Sequence, residues 1–365
     1  MKRLIILMLV LVLLCGCGQT KPEETEETTV PTTEATEPPT TEPPTEPPST
    51  EPPTEPPTEP GPINPLNGES VPEEITDRPY AIMINNHKAA LPHCGITAAD
   101  VLYETLVEGG MTRFLAIFSD PELAGPIGSV RSARPPHAEI AQGYDAVYSS
   151  ARGHPDVVDV FLADGLDWID GLAYDGTYFY RDKARRAAGV SLEHTMFVEG
   201  ADLEVIAEKK GIRTEKKEQS DYGFHFDEEA EFSGETANEI LISFQPSKAK
   251  TTNVYYDETL GAYTLYQQGK DYIDGNTGKK VEFRNVFILY AESYGMSNGI
   301  HVYVETVGEG DGYYARDGKL IPIHWSRESK TSPYVYTTED GAPVNMGVGK
   351  TYIAIIKDES PVTWE

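Results

Sequence analysis

Cysteine is nearly absent from this chain. Of its 365 residues only Cys15, Cys17 and Cys94 are cysteines, and Cys94 alone lies beyond position 17. Once an N-terminal segment is removed, no disulfide within the chain can staple the folded part, so its core must hold by burial. Basic residues are scarce as well: 30 Lys and Arg stand against 59 Asp and Glu, a formal net charge of −29. The eleven Glu and one Lys of residues 18–60 account for −10, and Lys2 and Arg3 for +2. That leaves −21 beyond residue 60. A charge of this sign argues against nucleic acid as a partner, and any anion site has to be local. Catalytic signatures are missing too. There is no P-loop, no G-x-G-x-x-G, no H-E-x-x-H, no C-x-x-C and no G-x-S-x-G. The eight histidines are scattered without zinc spacing, and Asp274-Gly275-Asn276-Thr277-Gly278 lacks the continuation of a calcium loop. Neither a metal nor a cofactor is expected. A Ser–His–Asp triad is defined in space, so Ser129 or Ser132 with His137 or His154 stays open.

What the chain does have begins with Lys2 and Arg3 ahead of an apolar run from Leu4 to Leu14. That run is too short for a membrane span, which needs about 20 residues, and has the form of a secretory signal. Leu14-Cys15-Gly16-Cys17 resembles a bacterial lipobox. The resemblance implies a signal peptide over residues 1–16, cleavage before Cys17 and lipidation of its sulfur. The expected location is the extracytoplasmic face of the cell membrane, with the lipid on Cys17 as the anchor.

Residues 17–62 read as a disordered tether. Glu-Pro-Pro begins at positions 37, 42, 46, 51 and 55, and apolar side chains are almost absent. Such a segment cannot offset chain entropy by burial. Pro-Pro pairs favour polyproline II, and at about 3.1 Å per residue the tether reaches on the order of 100 Å.

Residues 70–220 read as an α/β domain with a mixed sheet and helices. Tyr80 to Ile84 is an apolar run that ends at Asn85-Asn86-His87, a strand delivering polar groups to a sheet edge or a simple turn. Two β-rich runs, Val101–Val107 and Thr112–Phe118, flank Glu108-Gly109-Gly110-Met111, a hairpin signal. With the two glycines as the loop, Arg113 shares a face with Glu104 and Glu108, diagonal to both, and Glu104–Arg113 reads either as a buried structural pair or as part of a polar cluster that works on a ligand. Gly125 to Pro136, G-P-I-G-S-V-R-S-A-R-P-P, places Arg131 and Arg134 in the turn before a proline-led helix. Backbone N–H groups, a helix N-terminus and two guanidinium forks together suit a phosphate or carboxylate. Pairing with the protein's own carboxylates is the other account. The pattern recurs at Asp145–Ser150, then Arg152, His154 and Pro155-Asp156. If the strands are parallel neighbours, Arg131, Arg134, Arg152 and His154 collect near Asn85. Tyr174 to Arg186 is aromatic and basic and reads as an exposed loop.

Residues 225–365 read as a mostly antiparallel β domain. Short alternating runs from Glu239 to Ile356 are punctuated by Asp274-Gly275, Asp317-Gly318 and Asp340-Gly341. Tyrosines along these strands line a carbohydrate groove or pair across the sheet.

Ile82-Met83-Ile84-Asn85-Asn86, Ala99-Asp100-Val101-Leu102-Tyr103-Glu104, Val107-Glu108-Gly109-Gly110-Met111-Thr112-Arg113-Phe114, and Gly125-Pro126-Ile127 with Ser129-Val130-Arg131-Ser132-Ala133-Arg134-Pro135 together resemble the YerB-like lipoprotein family of Gram-positive bacteria. Gly308-Glu309-Gly310-Asp311-Gly312-Tyr313, Asp317-Gly318-Lys319, Ile323-His324-Trp325 and Gly349-Lys350-Thr351-Tyr352-Ile353 extend the resemblance to the C-terminal region. It implies two domains of unknown function, N-terminal and C-terminal. The chain departs from the family at Glu193-His194-Thr195-Met196-Phe197, where a Pro-His-Asn-Leu-Tyr-like run is expected; His194 is kept and the asparagine is not. The resulting expectation is an α+β or α/β fold holding an anionic cell-envelope ligand through Asn85, Glu104, Arg113, Arg131, Arg134 and Arg152. The alternatives are a cell-wall-active enzyme with Glu104 or His154 as general acid–base, and a protein-interaction scaffold.

Overall fold

The computed structural model describes residues 61–218 and 220–365, and only the backbone of Val160 and Phe161. The expected signal peptide 1–16, Cys17 and the tether as far as Pro60 lie outside the described residues.

Tyr80–Asn85 (β1), Val101–Leu106 (β2) and Thr112–Phe118 (β3) are buried at every position. Burial without alternation marks strands covered on both faces. They continue into Val147–Ser150 (β4) and Trp168–Asp170 (β5) on one side. On the other lie Asn285–Ala291 (β6), Gly308–Arg316 (β7), Lys319–Arg327 (β8), Val335–Thr338 (β9) and Thr351–Lys357 (β10). The order is β9-β8-β7-β6-β10-β2-β3-β1-β4-β5, and Glu235–Thr236 pairs with β8 to complete eleven strands. β10 lies between β6 and β2, parallel to both. The sheet therefore runs unbroken from the N-terminal region into the C-terminal one. The fold is α+β, with few helices and a β-rich C-terminal part.

β1 and β4 are parallel, as are β4 and β5. Helices Pro135–Gly143 (α1) and Pro155–Ala163 (α2) begin at prolines, whose fixed φ suits a first turn. A second, six-stranded sheet holds Glu239–Ser243, Thr251–Asp257, Ala262–Gln267 and the C-terminal Val362–Trp364. Tyr174 to Arg186 is not a loop: it contains the strand Phe179–Arg181 and a short helix Lys183–Ala187, capped by Asp182 on the Arg185 N–H.

The β2–β3 hairpin differs from expectation in register. Gly109 and Gly110 both take positive φ, but they sit inside a longer connection closed by Val107 N–H on the Met111 carbonyl at 2.8 Å. Leu106 thus faces Thr112, and Thr105 faces Arg113. A one-residue slip moves a side chain to the other face, so the expected Glu104–Arg113 pair does not form.

Glu104 instead points toward the second sheet and is fully buried. Its carboxylate accepts from Thr112 Oγ1 at 2.6 Å, Tyr352 OH at 2.7 Å and Asn86 Nδ2 at 2.9 Å. Gln267 Nε2 at 3.0 Å and Thr252 Oγ1 at 3.1 Å reach it from the second sheet, with Lys250 Nζ at 3.1 Å. Every oxygen is satisfied, and the ammonium offsets the charge. Glu104→Ala orphans these donors and leaves Lys250 buried without its partner. A loss of about 3–5 kcal/mol is expected from urea unfolding, and a loss below about 1 kcal/mol would contradict this assignment.

Two core histidines set the acid limit. Burial, then the charge of Arg185, pushes His93 down to about 3; burial, then Arg113, does the same to His137. Imidazole in an unfolded chain titrates near about 6.5, so unfolding takes up protons that the folded state refuses. This stability is complete above that pH. It falls as pH drops toward 3, by up to about 1.4 kcal/mol per pH unit for each histidine. Urea midpoints recorded from pH 7 to 4 should decline, and His137→Gln should flatten the slope; parallel slopes in the two proteins would count against it.

Candidate functional site

Three segments converge at the end of β1. Asn85 N–H donates to the Ser129 carbonyl at 2.9 Å, and Arg131 N–H to the Met83 carbonyl at 2.8 Å. Val130 N–H reaches the Met196 carbonyl at 2.8 Å. These backbone bonds lay the Ser129–Arg134 run between β1 and the His194 segment. Between them opens a cleft of about 290 Å³, lined by Asn85, His87, Arg113, Arg131, Glu193 and His194, with Val107, Met111 and Thr112 as its remaining wall.

The hydrogen bonds settle which imidazole nitrogens carry protons. His87 N–H donates to Asn85 Oδ1 at 3.1 Å, which turns the amide so that Nδ2 faces His194 Nδ1 at 2.7 Å. An amide nitrogen only donates, so His194 Nδ1 accepts and its proton sits on Nε2. His87 Nδ1 accepts the Ala89 N–H at 3.1 Å, where it caps the short helix Lys88–Ala90, and its proton is likewise on Nε2. The two rings stack with centroids 4.7 Å apart and 5° between planes. Burial holds the His194 pKa below the usual imidazole range against the pull of Glu193.

The arginines are paired with the protein's own carboxylates. Arg131 binds Glu193. Arg134 binds Glu108, which Arg113 also reaches at 3.3 Å. Arg113 and Arg134 are both buried. Burial raises the Glu108 pKa, but the Arg134 hydrogen bond and the two guanidinium charges outweigh it and hold the carboxyl down at about 2. Burial, then the charge of Arg134, pushes Arg113 down to about 9. Three guanidiniums against two carboxylates leave the cleft locally positive in an acidic protein.

Of the residues singled out in the sequence, Asn85, Arg113 and Arg131 share this cleft, and Arg134 stands behind it through Glu108. Arg152 does not join them: its guanidinium binds Asp170 at 2.6 Å on β5. His154 lies 3.4 Å from Asp156 and packs against the His301 ring at 5.4 Å, also outside the cleft. Glu104 has no open face at all. Both acid–base candidates thus lie off the cleft. Ser129 Oγ has no hydrogen-bond partner among the described residues, and His137 Nε2 faces the Arg113 carbonyl at 3.4 Å, so these two do not pair. No group of three or more His, Cys, Asp and Glu stands together as a metal site among the described residues. Glu193 is not singled out by the sequence, and Glu108 only as a diagonal neighbour of Arg113 on the hairpin. Glu193 lies 62 positions from Arg131, and no local pattern joins them.

Residues 66–213 match the family described as protein of unknown function (DUF3048), N-terminal domain, and residues 241–353 match its C-terminal domain. YerB of Bacillus subtilis (strain 168), named as a candidate lipoprotein, is 28% identical over 298 residues. The match covers 80% of this chain and 86% of YerB. The crystal structure of the YerB protein from Bacillus subtilis resembles the fold with a TM-score of 0.71 and 25% identity, covering 82% of this chain and 99% of that one. No described helix is long and apolar enough to cross a membrane. With both domains matched in order and the fold shared, the chain belongs to the YerB-like family.

Proposed function

We propose that this protein is a lipid-anchored, extracytoplasmic binding protein that holds a small carboxylate- or phosphate-bearing ligand of the cell envelope in the Arg131 cleft. The lipobox-like Leu14-Cys15-Gly16-Cys17 and the lipoprotein name of the relative support the anchor on Cys17. The observation that carries the ligand reading is the protonation pattern. His87 and His194 both keep their proton on Nε2 and line the same cleft as Arg131, with His194 Nε2 3.6 Å from Glu193 Oε1. Such donors complement an oxyanion.

Glu193 supplies the carboxylate that Arg131 binds in the absence of another. The Glu193 side chain is 48% exposed and that of Arg131 22%, and an exposed pair of this kind contributes only about 0.2–1 kcal/mol. A ligand anion can therefore displace Glu193 at small cost. Arg113 in the cleft wall and Arg134 behind it act as fixed positive charge screened by Glu108.

The test is a thermal-shift panel on the full-length chain in detergent with phosphate, pyrophosphate and muropeptides. One or more should raise the wild-type melting temperature and leave a folded Arg131→Ala variant unmoved. No shift with any of them, together with an Arg131→Ala protein that melts far lower, would make the arginine structural. Glu193→Gln removes the resident competitor and should tighten binding of the same ligand about two- to fivefold by calorimetry. Weaker binding in that variant would place Glu193 among the ligand contacts instead.

A further inference from the structure

The lining of the Arg131 cleft is of two kinds, and together they narrow what it can hold. Much of the polar part is already committed. The Asn85 amide is used on both sides, accepting from His87 N–H and donating to His194 Nδ1. Thr112 Oγ1 accepts from Asn86 Nδ2 at 2.9 Å and donates to Glu104 at 2.6 Å. The Arg113 guanidinium is taken by the Ser132 carbonyl and by Glu108. What the lining has left to offer an anion is one exchangeable guanidinium, that of Arg131, and the Nε2–H groups of His87 and His194.

The resident occupant shows which anion suits these donors. Glu193 sets one carboxylate oxygen on Arg131 Nη2 and holds the other 3.6 Å from His194 Nε2. Guanidinium and imidazole are thus spaced for the two oxygens of a single carboxylate, the planar anion that a guanidinium fork matches. A phosphate would bring further oxygens, set around a tetrahedron, and the rest of the wall has little to give them. The β2–β3 connection supplies Val107 and Met111 there, and neither side chain carries a hydrogen-bond donor for an oxyanion. Met111 is 41% exposed, a large apolar side chain kept in water at an otherwise polar cleft. The volume, about 290 Å³, lies at the lower edge of the range of about 300–1,000 Å³ common for ligand pockets. It suits a small molecule or one end of a larger one.

We infer that the Arg131 cleft selects a carboxylate carried on a small apolar group, in preference to phosphate. The inference rests on the anion reading of this cleft and names the class of anion. The ligand carboxylate replaces that of Glu193 between Arg131 and His194, and its apolar group lies against Val107 and Met111. Two sources share this chemistry: a free short-chain acid, and the last residue of a peptide that ends in alanine or valine. Each methylene taken out of water against the apolar wall strengthens binding by about fourfold. Affinity therefore rises with the size of the apolar group, which a site built for charge alone does not show.

The experiment is an NMR titration of the full-length chain in detergent, labelled with ¹⁵N-histidine and followed at the imidazole nitrogens of His87 and His194. The probes are acetate, propionate, isobutyrate, inorganic phosphate, and acetyl-alanyl-alanine as its free acid and as its C-terminal amide. Both imidazoles should shift with the acids, and affinity should climb from acetate to isobutyrate by about tenfold, with phosphate no tighter than acetate. Arg131→Ala should abolish the shifts. Met111→Ser should lower the ratio of isobutyrate to acetate affinity about threefold or more, a selectivity change that a merely structural methionine would not produce. Tighter binding of the peptide acid than of isobutyrate, with none by its amide, supports the peptide end as the source; the opposite order supports the free acid. A flat series of acids, or phosphate bound as tightly as isobutyrate, overturns the inference while leaving an anion site in place. No shift with any of the six probes overturns it together with the anion reading beneath it.

Discussion

The Glu104 carboxylate is the interaction on which the rest of this structure depends. It is fully buried, yet its partners come from the residue after β1, from β3, from β10 and from the second sheet. A buried ion pair adds little net stability over a well-packed apolar core. Its weight lies in specificity. Any register shifted by one residue along β2 turns Glu104 to the other face and strands Lys250, Gln267 and Tyr352 without their acceptor, at a cost of several kcal/mol. The N-terminal and C-terminal family regions meet at this carboxylate, because β10 brings Tyr352 beside β2 while Thr252 and Gln267 descend from the facing sheet. One central sheet, shared by both regions, is the consequence.

The same logic orders the charges. A chain carrying −21 beyond its tether has carboxylates to spare, and the arginines of the Ser129–Arg134 run are met by Glu193 and Glu108 rather than left bare. Their environments differ. Arg113 and Arg134 are buried and share the Glu108 carboxyl, so removing that carboxyl would strand two buried cations. Arg131 is more exposed, and its partner Glu193 rides on the short helix Leu192–His194. Only the second arrangement can exchange one carboxylate for another without disturbing the core.

How far the sequence reveals this depends on the range over which each feature is determined. The helices opening at Pro135 and Pro155, the buried strands β1 to β4 and the β-rich C-terminal part follow from local apolar runs and proline placement, and these are legible. The hairpin register is not. Gly109 and Gly110 mark a turn without stating its length, and Val107 N–H reaching the Met111 carbonyl decides it. Parallel insertion of β10 between β2 and β6 joins residues about 250 positions apart, and no periodicity encodes that. Asn85, Arg113 and Arg131 are legible as candidates because a strand end and a proline-led turn expose them. Glu193 is not, since a glutamate in an acidic chain carries no signal until its arginine is placed beside it, and Glu108 is legible only as a diagonal neighbour of Arg113 on the hairpin. Arg152 looked equivalent to Arg131 in its local pattern and was separated by one contact, Asp170 on β5.

Core and cleft are joined by neighbouring side chains. Asn85 and Asn86 are consecutive, and one orients His194 while the other donates to Glu104. Alternation along an extended chain sends them to different sides. Thr112 closes the arrangement: it lines the cleft, accepts from Asn86 Nδ2 at 2.9 Å and donates to Glu104 at 2.6 Å. The cleft wall is therefore anchored to the most heavily hydrogen-bonded group in the core. In the proposed binding mode a ligand anion entering beside Arg131 would meet groups already oriented, because Asn85 fixes the His194 ring while Asn86 and Glu104 hold Thr112. Preorganisation of this kind spares the ordering cost of binding. The polar run at the end of β1 thus has a structural role, and the proposed binding role would depend on it.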